Sequence, residues 1–224
     1  MVATRRISGA VVITALVLFA FGAYEAFDAS LALFRPPADG PLAELFVYPG
    51  WSIAHFVPGL LFMTLVPLQL WARFRNRHRA VHRWCGRLLV ASGVLLGVTG
   101  TVLPLTMPER PAFERFFMTT FAVVFLTFLA KGVGAARRRD FARHREWMIR
   151  MFATGLTITT QRLLLPLFIV VGGISSVDQF WIYFVSAGWV GWAIQVAVAE
   201  WWIRRTRTPA QAASGQGALA VAGR

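Results

Sequence analysis

The stretch "RFRNRHRAVHRWCGR", residues 73–87, has a counterpart in "RRRDFARHREWMIR", residues 137–150. Each carries a His-Arg pair, a nearby Trp and a later Arg: His82, Arg83, Trp84 and Arg87 in the first, His144, Arg145, Trp147 and Arg150 in the second. Each is also flanked on both sides by long apolar runs. Lipid offers backbone amides no hydrogen-bonding partner, so an apolar run of roughly 20 residues crosses a bilayer as a helix, and a basic stretch between two such runs is a loop at the membrane surface. Two matched basic loops therefore predict two related helical hairpins.

Composition supports reading the chain against lipid. Its 57% hydrophobic residues exceed the 45–50% usual for soluble domains, and mean hydropathy is +0.58. Six segments qualify as spans, at about 10–33, 51–72, 84–105, 114–135, 147–172 and 178–203. Turn-forming pieces separate them: "RPPADGP", "PLTMPERPAF" and "GGISSVD". The expected fold is all-α: a polytopic bundle of six transmembrane helices over residues 1–205, with a central four-helix core made from the two hairpins. The segment 206–224, rich in Ala, Gly, Gln and Pro, reads as a disordered cytoplasmic tail. The apolar start is too long for a secretory leader and lacks a clear cleavage site, so it reads as a retained first span.

Charge placement sets the expected orientation. With both termini in the cytoplasm, 19 of the 23 basic residues fall on that side, in accord with the positive-inside rule. The net charge of +13 is then explained by topology and by contact with anionic lipid at the cytoplasmic face, not by nucleic acid. The expected location is the bacterial cytoplasmic membrane. Trp51, Trp71, Trp84, Trp147, Trp181, Trp201 and Trp202 lie near span ends, as an interfacial aromatic belt requires.

The single cysteine, Cys85, excludes an intrachain disulfide, a four-cysteine zinc site and a thiolate iron-sulfur cluster. No P-loop, G-x-S-x-G elbow or H-E-x-x-H helix is present. Chemistry must come from histidines and from charges inside the spans. On an ideal helix His82 shares a face with Gly86, Gly93 and Gly100, while His144 shares one with Met148, Met151, Gly155 and Arg162. Two imidazoles on neighbouring helices beside a glycine-lined slot are the requirements of a bis-histidine haem b, with iron held by His82 and His144. Arg83, Arg87, Arg145 and Arg150 would pair with its propionates. The competing reading has the His-Arg pairs binding lipid phosphate while the glycines pack helices.

A second constellation lies in the other half of the bilayer. Arg162 sits about 15 Å from the end of its span at 1.5 Å per residue, and a charge there needs a partner. Glu25 and Asp28 in the first span, His55 in the second and Gln161 beside Arg162 would complete an outward-facing polar pocket or a buried ion pair. His55 is also a candidate ligand of a second, outer haem, or the acid or base of an enzyme with no nameable nucleophile. His78 reads as a solvated member of the basic run.

The segments "HFVPGLLFMTLVPLQLWARFR", "HRAVHRWCGRLLV" and "ARHREWMIRMFATGLTITTQRLLLP" resemble a bacterial integral membrane family catalogued as domain of unknown function 2306, over about residues 51–172. By that resemblance His55, Gln69, His82, Arg83, Gly86, Arg87, His144, Arg145, Trp147, Arg150 and Arg162 occupy motif positions. The family supplies an architecture and no activity. A looser likeness to transmembrane di-haem cytochromes b implies electron transfer with a redox partner, although this chain lacks their fourth intramembrane histidine. The leading expectation is a haem-b electron-transfer protein. The alternative is a carrier or sensor of a small or lipidic ligand built on the outer pocket.

Overall fold

The computed structural model describes residues 2–34, 47–107 and 110–207, and those residues form eight helices and no strands. They are α1 (Val2–Ala32), α2 (Pro49–Leu70), α3 (Ala72–Arg77), α4 (Arg79–Thr106), α5 (Ala112–Arg137), α6 (Phe141–Gly155), α7 (Thr157–Gly172) and α8 (Val177–Thr206). Six stretches are long and apolar enough to cross a membrane: Gly9–Ala32, Pro49–Leu70, Arg79–Thr106, Ala112–Arg137, Phe141–Gly172 and Val177–Thr206. The expected tail lies almost wholly outside the described residues.

Packing follows the hairpins. Helix α2 lies against α4 and α5 against α6, with α4 and α5 joining the two pairs; α1 covers α2, and α8 covers α6 and α7. The core centres on Phe62 of α2, which meets Phe125 of α5 and Phe152 of α6 edge-on at 5.7 and 5.9 Å. Phe19, Val66, Leu89, Leu129, Met151 and Leu156 complete that cluster. Apolar side chains gain little from leaving lipid, so this interlocking of rings, not water exclusion, holds the bundle. Phe62→Ala is expected to cost about 3 kcal/mol, seen as a lower midpoint for thermal loss of helical circular dichroism in detergent.

Two features depart from a plain hairpin pair. The basic stretch 73–87 is not all loop: α3 and the first turns of α4 are helical, so His82 sits inside a helix. The fifth span is divided into α6 and α7 at Leu156, which keeps helical dihedral angles, its amide donating to Phe152 O at 2.9 Å and its carbonyl accepting from the Thr160 amide at 3.0 Å. Gly155 beside it receives the Phe62 ring, and a Cβ on Gly191 of α8 would stand 3.4 Å from the Gln161 backbone nitrogen. Small residues thus bring neighbours close on both sides of that junction. One belt residue is also reassigned. Trp181 is only 4% exposed and carries the Arg110 guanidinium 4.8 Å above its ring, so it faces protein instead of the interface.

Candidate functional site

The second basic loop is a tight turn. Arg139 takes a left-handed conformation (φ 60°), the Asp140 amide donates to Ala135 O at 2.9 Å, and the Asp140 side chain caps α6 by accepting from the Arg143 amide. This turn folds α6 back on α5 so that His144, one turn into α6, reaches the Gly132 carbonyl with Nδ1 at 2.9 Å. A carbonyl only accepts, so Nδ1 carries the proton and the Nε2 of the neutral ring keeps its lone pair. A Cβ on Gly132 would meet the terminal methyl of Met148, which would have to shift.

His82 stands on α4 close enough to His144, Arg75 and Arg83 for their charges to interact with it. Its Nδ1 is buried without a hydrogen-bond partner among the described residues. The same holds for Nε2 of Gln69, a side chain 5% exposed near the end of α2. One turn beyond His82, a Cβ on Gly86 would make ordinary contact with Gln69 Oε1, at 3.9 Å. The expected slot closes deeper in. A Cβ on Gly93 would lie 3.0 Å from Leu129, Gly97 presses on Leu126, and Gly100 faces Ala122 and His55. Gly93 is therefore a packing position for α5, because an apolar helix face fills the groove that the missing side chains leave.

The four arginines named from the sequence separate. Arg87 stacks on Trp84 at 4.7 Å. Arg150 grips Glu200 through Nε and Nη2 at 2.5 and 3.1 Å and covers Trp147. Arg145 donates to Thr206 Oγ1 at 2.7 Å and lies within electrostatic reach of Arg75. Arg83 stays beside His82. Arg75, in the sequence one more charge in the basic run, is the cation within electrostatic reach of both His82 and Arg145. Only the folding back of α3 reveals it.

The outer constellation assembles in part. Arg162 of α7 donates to Glu25 of α1, and its charge reaches His55 of α2. His55 Nδ1 lies 2.8 Å from Thr99 Oγ1, whose own hydroxyl donates to Leu95 O at 2.6 Å. The threonine proton is thereby committed, so His55 donates through Nδ1 and its Nε2 keeps the lone pair. Gly22 brings α1 against Thr159 and Met63, one turn before Glu25. Gln161 does not join: its amide donates to Phe184 O of α8 at 2.7 Å. Asp28 is exposed on the outside of α1. Among the described residues no group of three or more His, Cys, Asp or Glu side chains is placed to hold a metal ion.

Six apolar spans around a polar seam define an α-helical integral membrane protein. The chain belongs to the family described as "Predicted membrane protein (DUF2306)", which matches residues 52–203 and so takes in α8 as well as the segments that carry the resemblance. No curated protein and no solved structure matches it.

Proposed function

We propose that the chain is a haem-b protein of the bacterial cytoplasmic membrane, with both termini in the cytoplasm, that passes electrons across the bilayer, with His82 and His144 as axial ligands at the basic end. The observation that carries this reading is the tautomer of His144. Its Nδ1–H is anchored on the Gly132 carbonyl, which leaves the Nε2 lone pair of the neutral ring for a ligand, within electrostatic reach of a second imidazole whose Nδ1 has no partner among the described residues. Such anchoring of the distal nitrogen is how proteins orient a metal-ligating histidine.

The fit is tested by the orphaned His82 Nδ1 and Gln69 Nε2, with Gly86 adding no side chain of its own beside Gln69. The leucines packed on Gly93 and Gly97 restrict the site to the level of Gly86. Haem b held there supplies a one-electron couple. The chain supplies two imidazoles, the cations Arg75, Arg83 and Arg145 for acidic propionates, and the Gln69 amide for an acceptor oxygen. The Glu25–Arg162 pairing favours a packing role for the outer cluster over a carrier or sensor pocket, since each charge satisfies the other.

The full chain produced with ample haem and purified in detergent is expected to be red, with the absorption bands of six-coordinate, low-spin iron that shift on reduction. A colourless preparation under those conditions would overturn the proposal.

A further inference from the structure

A cleft of about 520 Å³ opens between α5, α6 and α8 at the basic end of the bundle. Its inner wall is apolar, made by Phe128, Trp147, Val196 and Ala199; its other wall carries Arg143 and Glu200 with their neighbours. We propose that this cleft is a binding site for one anionic phospholipid, its phosphodiester at Arg143 and Lys131 and an acyl chain along Phe128 and Val196.

Charge complementarity selects that occupant. The two carboxylates at the cleft are neutralised by forked arginines: Arg150 on Glu200 at 2.5 and 3.1 Å, and Arg207 on Glu146 at 2.7 and 2.9 Å. Cations are left in excess. The Arg143 side chain is 66% exposed and meets only Asp140, through Nε at 3.4 Å, among the described carboxylates. Lys131 of α5 stands 4.6 Å above the ring of Trp147, a residue that lines the cleft. A positive mouth above an apolar wall matches an amphiphile with a negative head, and a helix end rich in Arg, Lys and Trp is where headgroups lie. A free phosphate ion would use the mouth and leave the apolar wall without a partner.

Native mass spectrometry of the full chain in detergent, titrated separately with phosphatidylglycerol, phosphatidylcholine and inorganic phosphate, tests the proposal. One phosphatidylglycerol is expected to stay bound in preference to either competitor. Arg143→Ala and Lys131→Ala should each weaken its retention about fivefold, and Arg73→Ala, on α3 at the same end of the bundle, should not. Val196→Phe, which keeps every charge and fills the apolar wall, should also weaken retention. Equal retention of the two lipids, undiminished phosphatidylglycerol on the Arg143→Ala/Lys131→Ala protein, binding of inorganic phosphate alone, or a lipid-free dimer closing the cleft would each overturn it.

Discussion

Replacing His144 by glycine is expected to abolish the haem spectrum of the purified protein, and adding imidazole to restore it in part. Free imidazole can occupy the space that the ring vacates beside Gly132 and offer the same lone pair. His82→Ala should have the same effect as the loss of His144, because six-coordinate iron needs both nitrogens. Gln69→Leu should retain the colour while weakening haem affinity about tenfold, the scale on which a group one shell away from the metal acts. The controls come from the other two histidines. His78 is exposed at the end of α3, and His55 is tied to Thr99 in the outer half of the bundle. Neither His78→Ala nor His55→Ala should remove the low-spin bands. Haem per protein measured as the alkaline pyridine complex gives the readout. If His144→Gly keeps full occupancy, or His78→Ala loses as much, the axial assignment fails even for a red protein.

The spans were legible because lipid makes one demand of every residue in them, and a carboxylate partner for Arg162 from α1 was legible, as Glu25 or Asp28, because a guanidinium in lipid must find an anion. Directions were harder to read. Gln161 and Arg162 are consecutive and therefore about 100° apart on the helix; one faces α8 and the other α1, although both seemed to line a single pocket. The glycine stripe on α4 was correctly placed on one face, yet its occupant depended on which neighbour came close. Leu126 and Leu129 of α5 press on Gly97 and Gly93, while Gly86 and Gly100 meet their neighbours at ordinary contact distance. The anchors of the histidines, Thr99 and the Gly132 carbonyl, had no signal of their own. A backbone oxygen carries no sequence identity, and a threonine in a span ordinarily bonds to its own preceding turn, as Thr99 also does to Leu95.

Glu25→Ala is expected to destabilise the bundle more than Arg162→Leu, although the two changes break the same bond. Removing Glu25 leaves a guanidinium that cannot shed its proton, lying within electrostatic reach of His55 in a region without water. That stranded charge costs about 3 kcal/mol. Removing Arg162 leaves a carboxylate that can neutralise itself by taking up a proton, so the penalty is smaller. The double change Glu25→Ala/Arg162→Leu should then recover most of the stability that Glu25→Ala loses, with a coupling of about 2 kcal/mol between the two positions. Thermal unfolding followed by circular dichroism in one detergent orders the four proteins: parent, Arg162→Leu, double variant, Glu25→Ala, from most to least stable. Strictly additive losses would mean that the pair is not the tie between α1 and α7. Unchanged stability in all three variants would mean that the charges are kept for an outside ligand, because the fold would then have no use for them.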